Sequence, residues 1–166
     1  MTKIKTKQIN SKDGTIEVYN SSNINLNTGS NPTTWTDITW GVEAFKGSIY
    51  THSTVTNSEE ITIDEGGYFE FEYSITTDNT SSSSRSGAEM EVQIDTGTGF
   101  TSISRTSSFS YNRSFTNGLD TKTKRFGLQI NAGDIVKIRV RKIAGNNPTQ
   151  LVVDFRGTSF LIRRIE

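Results

Sequence analysis

Few side chains in this sequence could do chemistry. There is no cysteine and one histidine, His52, which excludes disulfides, thiolate metal sites and a histidine-rich metal centre. His52 stands in Tyr50-Thr51-His52-Ser53, a polar stretch that reads as an exposed loop or strand edge. A nucleophilic triad needs a serine set on a base. The 20 serines supply the residue type, but no Gly-x-Ser-x-Gly elbow supplies the geometry. Glu70/Glu72 and Glu89/Glu91 are carboxylate pairs of the kind glycoside hydrolysis uses. At i, i+2 in a strand both members point to one face, so ordinary polar alternation toward solvent or an interface accounts for them. Asp95-Thr96-Gly97-Thr98-Gly99 is rich in oxygen but lacks the ligand spacing and closing glutamate of a calcium loop, and reads as a hairpin turn. No glycine loop for phosphate is present. The expectation is no enzyme, no cofactor and no metal. Tyr50, Tyr111, Trp35 and Trp40 could stack on a sugar, although core packing is the ordinary role of the tryptophans.

The elements that hold these residues are strands. Ser, Thr and Asn number 57 of 166 residues, with 17 Ile against 9 Ala and Leu together. That composition excludes a helical bundle and favours β-structure. Phe69, Phe71, Tyr73 and Ile75 alternate with Glu70, Glu72, Ser74 and Thr76, as do Met90, Val92 and Ile94 with Glu89, Glu91 and Gln93. Phe126, Leu128 and Ile130 form another strand, and Asn131-Ala132-Gly133-Asp134 turns it into Val136, Ile138 and Val140, which alternate with Lys137, Arg139 and Arg141. Leu151, Val153 and Phe155, then Phe160, Ile162 and Ile165, close the chain. Such strands with one buried face, eight to ten in all, predict an antiparallel β-sandwich or barrel.

Residues 1–33 are polar, with scattered Ile and Leu and a loop at Asn27–Pro32. They read as an N-terminal arm for anchoring or assembly, ahead of a domain over 34–166. The alternative is that they are simply the domain's first strands. In the arm reading, Lys3, Lys5, Lys7 and Lys12 are attachment residues, and a chain lacking residues 1–30 still folds. The net charge is zero, without the basic footprint of a nucleic-acid binder, and no apolar run is long enough to span a bilayer. Met1–Asn10 has no apolar core of a secretory signal, so the expectation is synthesis in a cytoplasm without a signal peptide.

Three segments carry a resemblance. Gly67-Tyr68-Phe69-Glu70-Phe71-Glu72-Tyr73 resembles the glycine-aromatic strand of the complement-head and tumour-necrosis-factor superfamily. Leu128–Ile138, with its Gly133-Asp134 turn, is similar to that superfamily's apolar pair, spacer, Gly-Asp and apolar strand. Phe155-Arg156-Gly157-Thr158-Ser159-Phe160 resembles its closing Phe-x-Gly strand. The resemblance implies a jelly roll of about ten strands that assembles as a homotrimer. It further implies that strands 67–76 and 135–142 are neighbours in the inner sheet, whose outer face lies toward the threefold axis. Glu70, Glu72, Lys137, Arg139 and Arg141 would then share one interface.

The lysine-rich start and the Thr, Ser and Asn content resemble small virion proteins of tailed bacteriophages. That likeness implies a trimeric head-fibre, decoration or tail-fibre protein, attached to other virion proteins by its arm and able to touch a host-surface glycan or protein. The alternative is a soluble trimeric binding module of the complement-head type.

Overall fold

The computed structural model describes residues 13–26, 34–79, 85–113, 118–144 and 151–165. Every element among them is a strand. They run in chain order as β1 (Thr15–Tyr19), β2 (Ile24–Asn25), β3 (Thr36–Asp37), β4 (Val42–Lys46), β5 (Tyr50–Thr51), β6 (Ile61–Ile63) and β7 (Gly67–Asn79). Then come β8 (Ser86–Asp95), β9 (Phe100–Ser102), β10 (Ser108–Asn112), β11 (Asp120–Ile130), β12 (Ile135–Ala144) and β13 (Leu151–Arg164).

The strands form two antiparallel sheets. The first runs β11-β7-β13-β1-β4, and the second β10-β8-β12-β6-β5. Short β2, β3 and β9 add to β13, β12 and β8. Thirteen strands are thus found among the described residues, ten of them along the two sheet paths, against the eight to ten that the sequence predicts. The alternation works as expected: Phe69, Phe71, Tyr73 and Ile75 from one sheet and Val136, Ile138 and Val140 from the other have no solvent exposure. Phe71 stacks on Phe126 at 5.2 Å between centroids, and Phe160 lies between Phe71 and Trp40. This layer fills the space between the sheets.

The turns follow from their residues. Gly133 takes φ +90°, a conformation that glycine reaches without strain. The Asp134 carboxylate accepts the Asn131 N–H at 2.9 Å, bonding back into the turn. Gly133 N–H and the Asp134 carbonyl then bond both backbone groups of Ile63, so the Gly-Asp turn docks on β6. Asp95 accepts the N–H groups of Gly97 and Gly99 at 2.7 and 2.8 Å, which fixes the β8–β9 hairpin.

Two expectations are corrected. A domain beginning at residue 34 leaves out β1, which lies inside the first sheet, pairing β13 on one side and β4 on the other. Its Ile16 and Val18 are fully buried, and Leu26 just after β2 is 6% exposed. Residues 15–26 are therefore the first strands of the sandwich. The lysines proposed for attachment, Lys3, Lys5, Lys7 and Lys12, lie outside the described residues. Second, β7 and β12 are in different sheets. The neighbours of β7 are β11 and the closing strand β13, with Tyr73 opposite Phe160. Both sides of β12 are taken by β8 and by β6 with β3.

Candidate functional site

The outward face of the first sheet is built in rows across its strands, because antiparallel partners share a face. One row reads Arg125, Glu72, Leu161, Glu17, Phe45, and the next Gly127, Glu70, Arg163, Thr15. A third reads Thr123, Ser74, Ser159, Tyr19, Val42. The face is thus divided. Its β11-β7 half is charged: Arg125 bonds Glu70 at 2.5 Å and Arg163 approaches the same carboxylate at 3.9 Å. Its β13-β1-β4 half carries Tyr19, Val42, Phe45 and Leu161 beside the charged Arg163 and Glu17, with Val42 45% and Tyr19 36% exposed and Glu17 accepting the Tyr19 hydroxyl. Beside the charged half, the Tyr68 phenol lies over Gly127, in the space a Cβ there would occupy.

The bases expected beside Glu70 and Glu72 lie on the other side of the molecule. Lys137, Arg139 and Arg141 face outward from the second sheet, where each meets an acid of its own chain. Arg141 pairs with Glu89 and Arg139 with Glu91, both at 2.6 Å, and Lys137 with Asp37 at 2.8 Å. The register places Arg141 opposite Glu89 and Arg139 opposite Glu91, so the two alternating strands form one ladder. Trp35 lies against it, with the Arg139 and Arg141 guanidinium groups 4.3 and 4.4 Å from its ring centroid. Lys137 sits 4.0 Å over the Phe100 ring. Cross-strand ion pairs and cations on aromatic faces satisfy these bases within the fold. Glu70 and Glu72 therefore do not share a surface with Lys137, Arg139 and Arg141; the bases on the Glu70 face are Arg125 and Arg163.

At one end of the sandwich the β7 alternation gives way to Thr76, Thr77, Asp78 and Asn79, all buried. The Thr77 hydroxyl is 2.9 Å from both Ser110 Oγ and Asn112 Oδ1, and Asn112 Nδ2 donates to the Thr77 and Gly118 carbonyls. On the outer side, β13 bulges between Asp154 and Ser159 and folds over the sheet. Thr76 Oγ1 donates to the Gly157 carbonyl at 3.1 Å, and a Cβ at Gly157 would collide with that hydroxyl. The closing Phe-x-Gly segment is thus a glycine bulge fitted to Thr76. Asp154 is held by a bidentate Arg156. Hydrogen bonding from Arg156 keeps the Asp154 carboxyl below its usual range, against the opposing effect of burial. Asp78 goes the other way: burial, then the Asp154 charge, push it up, with Arg156 opposing, and its Oδ1 is buried without a hydrogen-bond partner.

The catalytic candidates do not assemble. His52 is buried, 7% exposed, rather than an exposed loop residue, because the chain around it folds back on Trp40. Its Nδ1 is 2.8 Å from Glu43 Oε1, and its Nε2 meets the Ser58 carbonyl, not a hydroxyl. Glu70/Glu72 and Glu89/Glu91 lie on opposite sheets, and Glu70, Glu89 and Glu91 are each paired with an arginine. No group of three metal-ligating side chains is found among the described residues. Of the aromatics, Tyr50 and Trp40 are core residues at 4% and 0% exposure, whereas Tyr111 is 54% exposed. Burial pushes the Tyr50 hydroxyl well above the usual tyrosine range. Arg125 and Gly127 are readable from the outward positions of the Phe126-Leu128-Ile130 strand, while Tyr19, Val42 and Phe45 lie on two alternating strands of only five residues, too short to stand out in the sequence.

These features define an antiparallel jelly-roll sandwich with a charged and apolar outer face and no assembled catalytic centre among the described residues. Crystal structures of murine APRIL at pH 5.0, 8.0 and 8.5 share the fold, with TM-scores of 0.61, 0.62 and 0.60 and 9% sequence identity. Each match covers 92% of this chain and 98% of the APRIL chain. No protein-family profile matches the sequence, and no curated protein matches it.

Proposed function

We propose that this chain is a non-enzymatic homotrimeric display module that associates through the outer face of the β11-β7-β13-β1-β4 sheet. The observation that carries the reading is the division of that face. Tyr19, Val42, Phe45 and Leu161 offer apolar surface beside the Glu70, Arg125 and Arg163 cluster. Interfaces combine an apolar patch with charged groups that fix orientation. The opposite face, with its acids and bases already paired along β8 and β12, is suited to solvent. The tumour-necrosis-factor-type topology supports the same choice of sheet.

Within that reading, the module is a bacteriophage surface protein, a head-fibre, decoration or tail-fibre subunit, made in the host cytoplasm and attached to the particle by residues 1–12. The Thr, Ser and Asn content and the four lysines of residues 1–12 support this placement. Antibody labelling of particles from the source, with the identity of the neighbouring genes, tests it. Label on heads or tails and adjacent capsid or tail genes are expected. Unlabelled particles and a secretion or receptor context would favour the free binding module, the reading closer to the APRIL likeness.

A further inference from the structure

The His52 side chain is fully buried, and both of its ring nitrogens face oxygen acceptors. Nδ1 is 2.8 Å from Glu43 Oε1, and Nε2 is 3.1 Å from the Ser58 carbonyl. A neutral imidazole carries a single N–H. Both contacts are hydrogen bonds only when the ring holds two protons. In either neutral tautomer one nitrogen lone pair points at an oxygen lone pair.

Glu43 cannot relieve this by taking a proton near neutrality. Burial pushes its carboxyl up, but hydrogen bonds from His52 and Lys46 and their charges outweigh burial and hold it below the usual carboxylate range. Lys46 Nζ is 3.1 Å from Glu43 and donates to the His52 carbonyl at 3.0 Å. Glu43 and Lys46 are thus the charged groups that β4 turns toward the ring. On β5, Thr51 precedes the ring and donates its hydroxyl to Asp64 instead. The connection from β5 to β6 presents its Ser58 carbonyl, and Glu59 and Glu60 follow in the chain.

The ring joins β4 to the connection that follows β5. Residues 53–57 are exposed, Val55 at 87%. The Ser58 carbonyl also accepts the Trp40 N–H at 2.9 Å, so its position bears on the largest fully buried side chain of the core. We propose that His52 is a proton-operated latch: the doubly protonated ring clamps the 53–60 connection to β4, and loss of one proton loosens it in more alkaline solution.

The experiment reads the hydrogen-exchange protection of the Trp40 and Glu60 amides, corrected for intrinsic rates. In the wild type, protection is expected to fall about tenfold between about pH 5.5 and about pH 8.5, the effect of losing one hydrogen bond to a charged group. Glu43→Gln supplies an amide donor to Nδ1, so a neutral ring keeps both contacts and protection stays level across that range. His52→Gln has no proton to lose and also gives a level profile. Nitrogen chemical shifts of the wild-type ring need no variant, and should show both nitrogens protonated at the acid end. A ring with one protonated nitrogen there, level wild-type protection, or an unchanged pH dependence in Glu43→Gln would each overturn the latch.

Discussion

Removing β1 should unfold the domain, whereas removing the residues before it should not. In a chain lacking residues 1–26, β13 loses the partners of Thr15–Tyr19 along Ser159–Arg163, and β4 loses the strand it pairs with. Ile16, Val18 and Leu26, buried in the native core, vanish with it. At ~1.5–3 kcal/mol for each buried aliphatic side chain, the loss is about 5–9 kcal/mol before strand hydrogen bonds are considered. That is comparable with the whole stability of an ordinary domain, about 5–15 kcal/mol. The cavity opens beside Phe160, whose backbone pairs with Val18 and whose ring contacts Trp40 and Phe71. Far-ultraviolet and near-ultraviolet circular dichroism on heating is the assay. The chain lacking residues 1–12 should melt cooperatively, close to the full-length protein. The chain lacking 1–26 should show no cooperative transition and no near-ultraviolet tryptophan signal. A cooperative melt within a few degrees of full length would refute the placement of β1 in the sheet.

Other expectations follow from single contacts. Asp78 has a raised carboxyl pKa, so its ionised form disfavours the folded state and folding gains as pH falls through the native value. Asp78→Asn should therefore add about 1–2 kcal/mol near neutrality in urea unfolding, a gain that disappears in acid; a less stable variant would contradict this. Asp154 has a lowered pKa owing to Arg156, so its stabilisation is present above the unfolded-state value and is lost as pH falls through the native one. Asp154→Asn should cost about 1–3 kcal/mol near neutrality, with the difference shrinking in acid. Gly157→Ala should cost about 1–3 kcal/mol through its collision with Thr76, and Thr76→Ala added to it should recover part of the loss in thermal melts. Reversing Glu70 and Glu72 to lysine should weaken the trimer in sedimentation, and reversing Arg125 and Arg163 to glutamate in that background should restore part of it; Arg139→Glu and Arg141→Glu should not.

The alternation of 67–75 and 135–140 was legible because each strand is half-buried and shows one apolar face, so the core residues of both were named from the pattern. Sheet membership was not legible in the same way. Pairing of β7 with β13 rather than β12 is set by contacts between distant segments, and both strands show the same period. That is why the alternation shows Glu70 and Glu72 as outward acids but not that their basic neighbours are Arg125 and Arg163. The burial of His52 could not be read at all. A polar Thr51-His52-Ser53 stretch looks exposed until Glu43, Lys46 and Ser58 are brought around it by the fold. Likewise Ile16 and Val18 were visible, but a five-residue strand in a polar region does not reveal that it lies inside a sheet.

Self-association through the β11-β7-β13-β1-β4 face is tested most directly by sedimentation equilibrium of the full chain at micromolar concentration. A single species with the mass of three 18.4 kDa chains is the expected result. A species with the mass of one chain, unchanged across the concentration range, would contradict the trimer and return that face to solvent.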